Sequence, residues 1–82
     1  MEDLIRKKIQ DRFNPKELEV IVISAEEAKY SVHIVSDAFQ NLKVFERHRM
    51  VNDLFEPELS SEAIHSLSIN AKPPPAAASN PS

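Results

Sequence analysis

The most constraining feature of this sequence is that its 82 residues include no glycine. At a usual share of about 7%, roughly six glycines would be expected. Glycine lets the backbone turn through positive φ angles and approach a phosphate closely. Its absence therefore excludes a phosphate-binding P-loop, a dinucleotide-binding fingerprint and the GXXG clamp of a standard RNA-binding KH domain.

Cysteine is also absent. The chain therefore has no disulfide framework, zinc ribbon, thiol nucleophile or self-contained cysteine-ligated cluster. Its serines offer no ready nucleophile, because none lies in a glycine-flanked elbow. The carboxylates that could serve acid–base chemistry, Glu26, Glu27, Glu56 and Glu58, are expected to lie in exposed loops, which lack the cleft that such catalysis needs. We therefore predict that the chain is not an enzyme.

Length and composition are typical of one small globular domain, with 41% hydrophobic and 28% charged residues. The longest strictly apolar run, residues 20–23, is far shorter than the roughly 20 residues that span a bilayer. The N-terminal residues are mixed in charge and lack the apolar core of a signal peptide. These features predict a cytoplasmic protein with no membrane segment.

Hydrophobic periodicity divides the chain into helices and strands. Helical spacing predicts helices over 2–13 and 41–55, and alternation predicts strands over 17–24, 29–36 and 65–71. The second helix carries a predicted apolar stripe of Val44, Phe45, His48, Val51, Leu54 and Phe55.

The connections complete the predicted fold. The short link 25–28 favours an antiparallel hairpin. Pro57 is expected to end the second helix, and Ser60 or Ser61 to cap one more short helical turn. The order helix, strand, strand, helix, short helix, strand predicts an α+β fold in which helices cover a three-stranded sheet.

The C-terminal segment differs in composition from the rest. Residues 73–82 hold four of the six prolines and no charge. Such a segment has little to bury against the entropy cost of ordering, and its prolines disfavour helices and strand ladders. We predict a domain over 1–72 and a disordered tail over 73–82.

Three histidines are the main candidate metal ligands, and no two lie at the close spacing of a zinc motif. His48 falls on the predicted apolar stripe, which favours a packing role, and His33 lies mid-strand. His65 lies where the last strand begins. It is either a ligand offered to a partner's metal or a structural histidine satisfied by a backbone carbonyl.

Charge is unevenly distributed in a chain whose net charge is −3. Lys43, Arg47 and Arg49 form a basic stretch in the second predicted helix. Segments 17–27 and 53–62 carry acidic residues and contain no lysine or arginine. Arg47 and Arg49 are expected to lie outside the apolar stripe, about 200° apart around the helix. The stretch is either a nucleic-acid contact or an ordinary solvated helix face.

Residues 35–39 read Val-Ser-Asp-Ala-Phe, residues 47–51 read Arg-His-Arg-Met-Val, and residues 64–69 read Ile-His-Ser-Leu-Ser-Ile. These three segments resemble the BolA family. The first is similar to its V-S-x-x-F segment and the second to its R-H-R-hydrophobic-V helix. The third resembles its I-H-A-L-S-I strand, which contains the family's characteristic histidine. The resemblance covers roughly residues 2–72.

The resemblance implies an αββααβ fold with a mixed three-stranded sheet, like a type II KH domain. It also implies an accessory protein that pairs with a monothiol glutaredoxin and acts in iron–sulfur maturation or iron homeostasis. The two proteins would share a [2Fe–2S] cluster with glutathione, and His65 would be the ligand from this chain. Alone, the chain is expected to hold no cofactor and to be a monomer or weak homodimer. The alternative is a KH-like transcriptional regulator that binds DNA weakly.

Two departures from the family pattern are visible. The second ligand of the family usually comes from the loop between the first two strands, but residues 24–29 contain neither cysteine nor histidine. A carboxylate, water or another group would have to complete the site. The turn after the phenylalanine commonly holds glycine, and here Asn41 is expected to substitute, because asparagine tolerates left-handed geometry.

Overall fold

Residues 1–75, which a computed structural model describes, form helices and strands joined by short connections. The elements are α1 (Glu2–Phe13), β1 (Glu17–Ser24), β2 (Lys29–Val35), a short 3-10 turn (Asp37–Phe39), α2 (Val44–Leu54), α3 (Glu56–Ser60) and β3 (Ser66–Lys72). No helix in this part of the chain is long and apolar enough to cross a membrane.

The sheet has the strand order β1-β2-β3. β1 and β2 form the predicted antiparallel hairpin, while β3 runs parallel to β2 after the crossover through α2 and α3. The sheet is therefore mixed, and the α+β fold class is confirmed. Alternation points Val20, Val32 and Ile34 toward the helices, where all three are buried. We call the opposite side of the sheet the open face.

α1 contributes Ile5, Ile9 and Phe13 to the core, one residue on every fourth position of the helix. The helix ends where predicted, because Asn14 adopts a left-handed conformation with φ 47° and Pro15 follows it. The spacing of apolar residues in the sequence also assigns Leu4 to this face, but Leu4 is 41% exposed.

α2 differs from its prediction at its start. Val44 and Phe45, both placed on the predicted apolar stripe, are each 58% exposed. The helix begins at Val44 rather than residue 41, so both lie in its first turn, and its packed part starts with Met50 and Val51. His48 is half-buried and lies outside the hydrophobic core.

The position of α3 corrects a second prediction. Pro57 does not end α2, which stops at Leu54; it lies in the first turn of α3, where its missing N–H costs no hydrogen bond. Ser60 ends α3 instead of capping a later helix. The hydroxyl of Ser61 accepts a hydrogen bond from the Ala63 N–H, which stabilises a turn rather than a helix.

Ser36 explains part of the Val-Ser-x-x-Phe segment. β2 ends at Val35, one residue earlier than predicted, and Ser36 is buried. Its Oγ donates to the Phe13 carbonyl at 2.6 Å and accepts from the Ala38 N–H at 3.1 Å. One hydroxyl thus joins the end of α1 to the turn that contains Phe39.

Residues 73–75 follow β3 without regular structure. The remaining residues of the predicted tail, 76–82, lie outside the described part of the chain. The boundary at residue 72 stays a prediction.

Candidate metal-ligand site

His65 lies immediately before β3, beside the loop that joins β1 and β2. Its backbone N–H donates to the carbonyl of Ala28 in that loop at 2.8 Å. The parallel pairing of Lys29 with Ser66 continues this contact into the sheet. The backbone of His65 is therefore fixed by the hairpin, whereas its side chain is exposed.

The His65 imidazole makes no side-chain hydrogen bond within residues 1–75. The Ala28 carbonyl accepts from the main-chain N–H of His65 and not from its ring. Both ring nitrogens are thus directed to solvent or to a partner.

A shallow depression of about 300 Å³ is lined by Glu27, Lys29 and His65. The Lys29 ammonium lies 2.9 Å from a Glu27 carboxylate oxygen. In the sequence, Glu27 is recognisable only as a carboxylate in the loop between β1 and β2. The signal that would have identified it is the parallel crossover, which brings the start of β3 next to the hairpin loop.

Imidazole and carboxylate are suitable ligands for borderline metals, but two donors leave most coordination positions empty. The Lys29 ammonium also competes with a cation for Glu27. Within the described residues, no group of three or more histidines, cysteines, aspartates or glutamates is arranged to hold a metal ion. His65 and Glu27 therefore supply two potential metal ligands at this place.

The other histidines lie elsewhere. His33 is on the open face, opposite Glu19 and Asn70, with its Nε2 3.7 Å from the Glu17 carboxylate. His48 lies on α2 beside the C-terminal end of β3. The structure does not bring the three imidazoles together.

The three candidate nucleic-acid-binding residues differ in their exposure to solvent. Lys43 and Arg49 are exposed, but Arg47 is half-buried and its Nη1 donates to the Ala71 carbonyl at 2.8 Å. The expectation that Arg47 lies wholly outside the packed side of α2 is therefore wrong. Its Nε is buried and has no hydrogen-bond partner within residues 1–75. Arg47 is used to hold β3, so Lys43 and Arg49 are the cations left for phosphate.

The chain is similar in sequence and in structure to several known proteins. The model of the family described as "BolA-like protein" matches residues 9–75. SufE-like protein 1, chloroplastic/mitochondrial, of Arabidopsis thaliana is 38% identical over 85% of this chain, which spans only 23% of that relative. The DNA-binding transcriptional regulator BolA of Vibrio cholerae serotype O1 is 36% identical, over 85% of this chain and 72% of the relative. The solved structure of BolA1 from Arabidopsis thaliana superimposes with a TM-score of 0.82 at 32% identity, covering 98% of this chain and 95% of that chain.

Proposed function

The chain belongs to the BolA-like family, and from this premise we propose that it is an adaptor that pairs with a monothiol glutaredoxin. In this role it contributes His65 to a [2Fe–2S] cluster that the glutaredoxin and glutathione also ligate. The complex acts in iron–sulfur maturation or iron homeostasis. The cluster is held by this chain and the glutaredoxin together, since this chain contributes one strong ligand, His65.

The observation that carries the proposal is the state of His65. Its backbone is held by Ala28, whereas its ring is exposed and makes no hydrogen bond within the described residues. A fixed backbone reduces the conformational freedom that His65 loses on binding a ligand, and its exposed ring stays accessible. The absence of a three-ligand group in residues 1–75 supports a shared site rather than a resident one.

A bound cluster would supply one-electron redox chemistry, and imidazole in place of thiolate raises its reduction potential, as in Rieske centres. This chain's contribution is to hold the backbone of His65 in place and to bring Glu27 beside it. Glu27 is the loop residue placed to supply an oxygen donor once its ion pair with Lys29 is released.

The test is to mix the chain with a cluster-loaded monothiol glutaredoxin and record visible circular dichroism together with size-exclusion chromatography. We expect a 1:1 complex whose spectrum differs from the sum of the components. His65→Ala should remove that difference while costing less than roughly 1 kcal/mol of stability, as is usual for exposed positions. His33→Ala is the matched control, because it removes another strand imidazole and should leave the spectrum unchanged.

Three results would contradict the proposal. The first is a mixture that shows no complex and a purely additive spectrum. The second is a His65→Ala variant that folds and gives the wild-type heterodimer spectrum. The third is a His65→Ala variant that unfolds, which would show that the histidine is structural and the site assignment wrong.

A second candidate function is nucleic-acid binding, which the name of the Vibrio cholerae relative favours. On this chain it would use the exposed Lys43 and Arg49. Phosphate-driven binding weakens steeply as salt rises. Sub-micromolar binding to duplex DNA that is lost with added salt and with Lys43→Ala and Arg49→Ala would favour this function; salt-independent or absent binding would reject it.

A further inference from the structure

A groove lies between α2 and the outer edge of β3, and we call it the β3 groove. It is lined by Val44 of α2, by Ile69 and Ala71 of β3 and by the prolines at 73–75, and its volume is about 610 Å³. Ligand pockets usually measure roughly 300–1,000 Å³ and are lined mainly by apolar residues. Ala71 follows His65 by six residues of extended chain, which at about 3.3 Å each is roughly 20 Å. The groove is therefore separate from the candidate metal-ligand site.

The charged side chains that line the β3 groove are basic. Arg47 and Lys72 are among its lining residues, and the His48 imidazole adds a further hydrogen-bonding group. No aspartate or glutamate of residues 1–75 lines it. Lys72 is exposed, so its ammonium is accessible to a ligand. In a chain whose net charge is −3, this local excess of positive charge favours an anionic ligand.

The backbone of β3 indicates the shape of that ligand. The Lys72 carbonyl accepts from the Ser36 N–H on the side of β2, whereas the Ala71 carbonyl accepts from Arg47 on the other side. Backbone groups of successive strand residues point to opposite sides, so the N–H of Ala71 and both backbone groups of Ile69 point to the outer edge. No strand of the described chain pairs with them there. An extended peptide carries donors and acceptors that match such an edge.

We propose that the β3 groove binds an extended acidic segment of a partner protein, which adds to β3 as a further strand. Backbone hydrogen bonds to Ile69 and Ala71 hold this segment, and its apolar side chains pack on Val44. Its carboxylates face Lys72 and the Arg47 guanidinium. A basic segment would face the same two cations and would be repelled, so the charge of the groove selects the partner.

Two features limit the pairing to a short segment. Arg47 already occupies the Ala71 carbonyl, and Pro73 has no backbone N–H to donate. The partner therefore gains few main-chain hydrogen bonds, and charge supplies much of the attraction. We expect reversible binding that weakens as added salt screens the lining cations. This binding needs no cluster, so it is tested without a glutaredoxin and stands apart from the proposed function.

The test is an NMR titration of the full ¹⁵N-labelled chain with a blocked seven-residue peptide of alternating aspartate and valine. The control peptide has lysine in place of aspartate. We expect saturable shifts of the Ile69 and Ala71 amides with the acidic peptide, and a dissociation constant at least about tenfold higher for the basic peptide. An acidic peptide that produces no saturable shift up to ~1 mM, or equal binding of the two peptides, would overturn the proposal.

Val44 and Phe45 offer a matched pair of variants. Each side chain is 58% exposed, but only Val44 lines the groove. Val44→Asp places a negative charge against the acidic segment and should raise the dissociation constant at least about tenfold. Phe45→Asp should leave the constant within about twofold, because it adds the same charge outside the groove. Equal effects of the two variants would show that the peptide does not lie in the groove.

A second pair of variants tests the charge. Lys72→Glu should weaken binding of the acidic peptide at least about fivefold, and Lys7→Glu, the same change on exposed α1, by less than about twofold. Equal weakening by both would attribute the binding to net charge and overturn the proposal.

The same spectra distinguish two other occupants. Single-stranded DNA of mixed sequence that shifts the Ile69 and Ala71 amides at lower concentration than the acidic peptide would assign the groove to nucleic acid. Removal of residues 76–82 should leave the peptide's dissociation constant within about twofold. A tenfold or greater decrease on this removal would show that the chain's own end occupies the groove. Either of these two results would overturn the proposal.

Discussion

Ala28 and Glu62 show, at the scale of single residues, what a chain without glycine does at its turns. Four described residues have positive φ, and two of them are the asparagines Asn14 and Asn41, which tolerate this conformation. The substitution of Asn41 for a turn glycine is thus confirmed, with φ 66°. Ala28 at φ 55° and Glu62 at φ 66° have no such tolerance, and a Cβ in the left-handed region costs roughly 1–2 kcal/mol.

Ala28→Gly should therefore stabilise the fold. Removal of the Cβ relieves the left-handed strain, and the greater flexibility of glycine in the unfolded chain offsets part of the gain. We expect an increase of about 0.5–1 kcal/mol in the free energy of unfolding, measured by urea denaturation.

Ala25→Gly is the matched control for this change. Ala25 lies in the same loop but is not among the residues with positive φ. Glycine at this position adds flexibility without relieving strain, so the free energy of unfolding should fall by about 0.5–1 kcal/mol. Changes of the same sign in both variants would show that the conformation of Ala28 carries no strain.

At the scale of elements, Arg47 connects α2 to β3. Its hydrogen bond to the Ala71 carbonyl is made across the edge of the sheet, where β3 has no further strand in the described part of the chain. The guanidinium therefore caps a backbone group that would otherwise be left at the sheet edge. Arg47, the first arginine of the Arg-His-Arg segment that resembles the family pattern, thus has a structural role in this chain.

Arg47→Ala should destabilise the attachment of β3. A hydrogen bond from a charged donor would be lost, partly offset by removal of the unpartnered Nε–H, for a net cost of roughly 1–2 kcal/mol. Hydrogen exchange should show the largest loss of protection at the β3 amides. Arg49→Ala, one exposed arginine two positions later, should change stability by less than about 0.5 kcal/mol. Equal effects of the two variants would contradict this assignment.

At the scale of the whole molecule, one hydrophobic core joins both ends of the domain. Its buried residues run from Ile5 in α1 to Ala71 in β3, and they include Phe39 and Phe55 from the segments between. A partly buried ion pair adds to this closure: the Lys8 ammonium of α1 contacts both carboxylate oxygens of Glu58 in α3 at 2.9 and 3.0 Å.

A chain ended after residue 72 should consequently keep its stability. Within residues 1–75, every buried member of the core lies before this point. We expect cooperative urea unfolding with a free energy within about 1 kcal/mol of that of the full chain. A loss of cooperativity, or a larger decrease, would show that the proline segment from Pro73 onward belongs to the folded domain.

Much of the fold follows from local periodicity. The bounds of α1 and β1 agree with their predictions, and the hairpin follows from the short link between β1 and β2. The errors occur where one element must be placed against another. Val44 and Phe45 have helical spacing, yet no element of the described chain covers them. The sequence around Pro57 predicts the end of a helix, but in the structure this proline lies in the first turn of α3.

Taken alone, the sequence determined the buried side of most elements, that no glycine-rich loop or cysteine site exists, and that the last strand begins next to His65. Only the tertiary structure decided that Glu27 and Lys29 lie beside His65, that Arg47 caps Ala71, and that half of β1 is exposed. The physical reason is that periodicity records how one segment alternates between water and the core. It carries no information about which distant segment supplies the neighbouring surface, because that depends on the crossover and on packing between elements.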